Sequence, residues 1–157
     1  MSFCIFQVTL GYFGIRYTPI FSEANSKESE DLKYKKTGLS PEMAQLQFTS
    51  LEAYMADNQP YLDPELTLSD LAGQLQLSPN HLSQIINQFT KTNFFTYINA
   101  YRIQEVSKLL ADPTQEPYSI LGLAYEAGFK SKSVFNALFK KTKGMTPSVY
   151  RKSHGTK

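Results

Sequence analysis

The sequence predicts an all-α fold: two helix-turn-helix subdomains joined by a long helix. The first observation behind this is an internal repeat, in which Leu71-Ala72, Leu77-Ser78, Leu82 and Ile86 recur as Leu123-Ala124, Phe129-Lys130, Phe135 and Phe139. The copies lie 52 residues apart through the first helix (Leu71 to Leu123) and 53 through the second (Leu82 to Phe135), so the second copy carries one extra residue in its turn. The second observation is that each copy holds two short apolar stripes at helical spacing, each opened by a residue able to cap a helix. The third is a helix-periodic stretch between the copies, bounded by Asn93 and by Asp112-Pro113. Such an arrangement could set two helices of one polypeptide into successive grooves of a duplex without dimerisation.

In chain order, residues 1–16 hold an apolar run over 3–15 that ends at Arg16. The run is shorter than the ~20 residues a bilayer span requires. It also lacks the preceding basic residue and small-residue cleavage site of a signal peptide. Two readings stand: a segment packed on the domain, or the end of a membrane helix that begins further upstream. Residues 17–39 form a charged linker, with only Leu32 and Tyr34 available for burial across 22–37. Ser40-Pro41-Glu42 opens a helix whose core face is Leu46, Leu51, Tyr54 and Met55, ending near Asn58-Gln59-Pro60. Residues 40–112 make the first helix-turn-helix subdomain with its connecting helix, 113–152 the second, and 153–157 a tail.

Within the first copy, Thr67 and Asp70 make a capping-box-like start to a helix carrying Leu68, Leu71, Ala72 and Leu75. Ser78 caps the next helix, and Pro79 takes its first position, where no N–H is needed. Leu82, Ile85, Ile86 and Phe89 form the inner stripe of that helix and turn Asn80, Ser83, Gln84, Asn87 and Gln88 outward. The long helix runs from Asn93 or Phe94 to about Asp112, with Ile98, Ile103, Val106, Leu109 and Leu110 inward. Its ~18 residues span roughly 27 Å. In the second copy Ser119 caps a helix carrying Ile120, Leu123, Ala124 and Ala127, and Gly128 tolerates the positive φ at which that helix stops. Ser131 opens a helix with Phe135, Leu138 and Phe139 inside and Lys132, Ser133, Asn136, Lys140 and Lys141 outside. A short final helix covers 146–151.

The net charge of +2 conceals a split. From Glu42 to Glu126 there are ten acids against three bases, Lys91, Arg102 and Lys108. Beyond Glu126 there are eight bases and no acid, and the block coincides with the second helix-turn-helix, as a phosphate-binding surface would. Other chemistries find no support. Cys4 is alone, which excludes a disulfide within the chain and a thiolate cluster and fits a reducing compartment. His81 and His154 are far apart and lack neighbouring ligands, so no metal site is expected. No Gly-rich phosphate loop, nucleophile elbow or carboxylate pair is present, so neither an enzyme nor a cofactor is expected.

The stretch Ala124-Tyr125-Glu126-Ala127-Gly128-Phe129-Lys130-Ser131-Lys132-Ser133-Val134-Phe135-Asn136, with Phe139-Lys140-Lys141 and Gly144-Met145-Thr146-Pro147-Ser148-Val149-Tyr150-Arg151, closely resembles the signature of the AraC/XylS family of transcription regulators. The first unit is similar through Leu71-Ala72, Ser78, His81-Leu82-Ser83 and Tyr97-Ile98-Asn99-Ala100-Tyr101-Arg102. The resemblance implies a C-terminal DNA-binding domain of two homeodomain-like three-helix units, a cytoplasmic location, double-stranded DNA and RNA polymerase as partners, and an effector that the sequence does not name. Two departures stand out: Asn93-Phe94-Phe95 replaces the more frequent glycine, and Ala137 replaces an arginine that in many relatives reaches DNA. The N-terminal third is similar to a subgroup in which this domain follows a multi-pass membrane sensor.

The residues expected at DNA are Asn80, His81, Ser83, Gln84 and Asn87 in the first unit, and Lys130, Ser131, Lys132, Ser133, Asn136, Lys140 and Lys141 in the second. Lys132 and Lys140 suit phosphates, the amides suit base edges, and His81, beside the buried stripe, suits packing or phosphate contact. The alternative function is a helical interaction module, an anti-activator that kept the fold and lost DNA binding.

Overall fold

A computed structural model describes residues 40–154, and all the regular structure in them is helical. The readings made for residues 1–39 and for the last three residues lie outside the described residues. Seven α-helices follow in order: α1 (Pro41–Asn58), α2 (Leu68–Gln74), α3 (Pro79–Thr90), α4 (Phe94–Ala111), α5 (Ile120–Glu126), α6 (Lys132–Lys143) and α7 (Pro147–His154). Short 3-10 turns at Pro60–Leu62 and Pro113–Gln115 precede α2 and α5.

The helix starts follow the capping residues. Thr67 accepts from the Asp70 amide while the Asp70 carboxylate accepts from the Thr67 amide, a complete capping box; the Thr67 hydroxyl, donating to that carboxylate at 2.6 Å, and then the Thr67 amide hold the Asp70 carboxyl below its usual range. Ser78, Asn93, Ser119 and Ser131 each accept from the amide three residues on. The long helix spans Phe94–Ala111, within a residue of its expected bounds.

Two apolar cores result. In the first, Leu51 and Met55 of α1 meet Leu71 and Ala72 of α2, Leu82 and Ile86 of α3, and Phe94, Tyr97 and Ile98 of α4. In the second, Ile103, Val106 and Leu110 of α4 meet Leu123 and Ala124 of α5 and Phe135 and Phe139 of α6. The strut therefore belongs to both cores, its first half to one and its second half to the other.

One expectation fails: Leu46 is 63% exposed and is not part of the core face of α1. The stripe that packs is Ala44, Phe48, Leu51 and Met55, at steps of four, three and four. Leu46 sits two positions from both Ala44 and Phe48, about 200° around the helix from each, so burying that stripe leaves Leu46 in solvent. The final helix also continues past Arg151 to His154, whose ring stacks on Tyr150 at 4.1 Å.

The repeat is exact enough in space to locate its extra residue. In the turn of the first copy Gln76 is left-handed (φ 58°) and the Leu77 amide donates to Ala72 O at 2.8 Å. In the second, Gly128 is left-handed (φ 88°) and the Phe129 amide donates to Ala124 O at 3.0 Å. The next equivalent pair is Ser78 and Ser131, the two N-caps, so the inserted residue is Lys130. The helices then close on Lys91 (φ 55°) and Gly144 (φ 73°), again one left-handed residue each. The glycine the first copy lacks is thus replaced by Lys91, two residues before Asn93.

Candidate nucleic-acid interface

From Ser78 and Ser131 onward an offset of 53 matches α3 to α6 position by position. Asn80 corresponds to Ser133, His81 to Val134, Ser83 to Asn136, Gln84 to Ala137, Asn87 to Lys140 and Gln88 to Lys141. The same helical face therefore carries amides in one copy and lysines in the other.

Exposure separates these residues further. Asn80 and Asn87 are exposed, whereas His81, Ser83 and Gln84 are half-buried. His81 Nε2 is buried without a hydrogen-bond partner, the geometry of a packing residue. On α6, Lys132, Ser133, Asn136, Lys140 and Lys141 are all exposed, and so is Ala137. Val134, the counterpart of His81, is 47% exposed and adds an apolar side chain to this face that sequence reasoning did not select. Ser131 is half-buried and engaged, with its Oγ on the Val134 amide and 2.9 Å from Ser133 Oγ. It serves as the helix cap.

The acid-free block of bases does not act as one patch. Lys143 is half-buried with its amine 5.7 Å from the Tyr150 ring centre, and burial lowers its pKa. Arg151 donates to Tyr118 O at 2.9 Å and to Gln115 O at 3.3 Å, tying α7 to the loop before α5. Lys130 forms an ion pair with Glu65 of the first unit. Of the cations expected at DNA, this leaves Lys132, Lys140 and Lys141 exposed on α6. Lys140 and Lys141 lie in its last turn, where cations also complement the helix dipole. Lys132 opens the helix, where a cation opposes that dipole. Helix stability does not favour a lysine there, and an anion outside the protein would.

Arg102 was missed as a structural centre. It lies half-buried on α4, and its Nε donates to Tyr61 O at 2.7 Å and its Nη2 to Asp63 O at 2.8 Å. A lone cation inside the apolar stretch Tyr101-Arg102-Ile103 was the available signal.

A family profile described as a helix-turn-helix domain matches residues 71–153. The melibiose operon regulatory protein of Escherichia coli K12 is 36% identical over 109 residues, covering 69% of this chain and 34% of that protein. The chain belongs to the AraC/XylS family of transcription regulators. A second member, the regulatory protein PocR of Salmonella typhimurium, is 30% identical over 91 residues, covering 58% of this chain and 29% of PocR. The chain thus spans about a third of the length of these AraC-type relatives. Among solved structures, the C-terminal domain of AraT, a response regulator from Geobacillus stearothermophilus, superposes with a TM-score of 0.57 at 25% identity over 76% of this chain and 90% of that one. An AraC-type DNA-binding domain protein from Chromobacterium violaceum shares the fold, with a TM-score of 0.60 at 22% identity over 72% of this chain and 96% of that one. The all-helical, double helix-turn-helix architecture is therefore that of the family's DNA-binding domain.

Proposed function

We propose that residues 40–112 and 113–152 read two half-sites of one duplex, with α3 and α6 entering successive major grooves. What supports this is the equivalence of the two units: matched caps, matched left-handed turns and matched outward faces, joined by a strut common to both cores. Asn80, Ser83, Gln84 and Asn87 supply base contacts, and Lys132, Ser133, Asn136, Lys140 and Lys141 supply phosphate and polar contacts. His81 and Ser131 act mainly by packing and capping, and Lys130 reaches phosphate only by leaving Glu65.

The test is selection of a duplex from a random library, followed by mobility shifts. A bipartite site is expected. Inserting five base pairs between its halves turns one by about half a helical turn, and undiminished affinity for that duplex would refute simultaneous reading. A chain that selects no duplex at all would be the interaction module instead.

The proposal extends to the whole protein in coarser form: transcription control in the cytoplasm, with RNA polymerase as a further partner and an effector acting through a region outside this domain. The apolar run at 3–15 is read as the end of a membrane span of a sensor-linked protein. Among the described residues no helix is long and apolar enough to cross a membrane. Deleting residues 1–37 is expected to leave DNA affinity unchanged and to raise solubility. A deletion variant that fails to fold would place that segment in the core.

A further inference from the structure

We propose that Arg102 is a positioning residue that locks the two helix-turn-helix units in one relative orientation, so that the chain accepts one spacing between half-sites. The inference rests on the two-groove reading above. It starts from a packing deficit. The two apolar cores are separate clusters that share only α4, and between the units lies an open groove of about 380 Å³, bordered by Leu66, Phe95, Ile98, Phe129 and Val134. Apolar packing across that groove is incomplete, so it does not by itself fix the angle between the units.

A pinned loop of the first unit fills part of that seam instead, held to the shared helix α4 by Arg102 through two carbonyls. Tyr61 O accepts from Arg102 Nε, and Arg102 Nη2 reaches Asp63 O two residues further on. The Tyr61 ring is buried and stacks on Tyr101, the neighbour of Arg102, at 5.3 Å. The turn of the second unit lies against the same group: a Cβ on Gly128 would collide with Tyr61 O and lie 2.9 Å from Arg102 Nε and 3.0 Å from Leu62 O. The turn residue of the first copy, Gln76, is exposed, whereas Gly128 is buried. Lys130, the residue inserted only in the second copy, pairs with Glu65 across the same seam. That pair is exposed and adds little energy. Arg102, half-buried and forked, is the member of this seam that can hold two carbonyls in fixed geometry.

Two measurements on the full chain test this. Nitroxide labels at Gln74→Cys and Glu126→Cys, equivalent exposed positions of the two units, are placed in a Cys4→Ser background. Electron–electron distance distributions without DNA should be narrow in the wild type and about twofold broader with Arg102→Gln. Arg102→Lys keeps the charge and one donor, and should give intermediate broadening even if Arg102→Gln fails to fold. An unchanged width in the folded variants overturns the proposal. The second measurement uses the duplex selected by the wild type, with one base pair added or removed between its halves, a rotation of about 35°. The wild type should lose about 10-fold or more in affinity and the Arg102 variants less than about 3-fold relative to their own best spacing. Equal strictness in wild type and variants overturns the proposal while leaving the two-groove reading intact. A wild type that selects no bipartite site overturns the two-groove reading and the spacing consequence with it, and the distance distributions then judge the lock alone.

Discussion

Gly128→Ala is expected to destabilise the domain by about 2–5 kcal/mol, a lowered denaturant midpoint at unchanged slope. Two costs add. The backbone there has φ 88°, where an L side chain costs roughly 1–2 kcal/mol. The new methyl group also overlaps Tyr61 O and crowds Leu62 O, both backbone atoms that cannot rotate away, and overpacking of that kind costs about 1–3 kcal/mol. Gln76→Ala is the control. Gln76 is the equivalent turn residue, is already left-handed with a side chain, and is exposed, so its truncation should stay within about 0.5 kcal/mol of wild type. A Gly128→Ala variant as stable as the Gln76→Ala variant would mean that the segment around Tyr61 yields, and that the seam between the units is soft.

These two positions also show what the sequence could and could not reveal. Periodicity and capping placed the helices well, because each inner stripe and each Ser, Thr or Asn cap is a local property of a few consecutive residues. Gly128 as a left-handed stop was legible for the same reason. That Gln76 and Lys91 adopt the same conformation was not, since neither is a residue that prefers it. Leu46 misled because the apolar residues of α1 are spread around the helix, and only packing against α2 and α3 decides which stripe wins. The candidate interface was legible as a face but not as an environment. His81 and Lys130 lie on or beside the outward faces, yet tertiary contacts bury the ring nitrogen of one and pair the other with Glu65, 65 positions away in sequence. Arg102 escaped for a related reason: its partners are carbonyls 41 and 39 residues earlier, which no local pattern can show.

The largest effect on DNA affinity is expected from the triple change Lys132→Ala, Lys140→Ala, Lys141→Ala. The eight bases beyond Glu126 suggest a broad cationic patch, but Lys130 is paired, Arg151 ties α7 down and, of the four lysines on α6, Lys143 is drawn against Tyr150, which leaves three exposed lysines on that helix. Each phosphate contact adds about 0.9 to the slope of log affinity against log salt, so the triple variant should flatten that slope by roughly 2.7. Near 0.15 M salt the same relation gives a loss of about 10²-fold, shared by the selected site and random duplex alike. Gln84→Ala should behave in the opposite manner. It sits on the first recognition helix at the position where the second carries Ala137, and α3 has Asn87 and Gln88 where α6 has Lys140 and Lys141. An amide reading a base is worth about 1–3 kcal/mol of discrimination, so Gln84→Ala should weaken the selected site while leaving random duplex nearly unchanged. The repeat has diverged in side chains while keeping its geometry, with neutral amides on one face and lysines on the other, and the proposed division of work follows that difference. If the triple variant kept the wild-type salt slope, or if Gln84→Ala weakened selected and random duplexes equally, the two faces would not divide the work in this way.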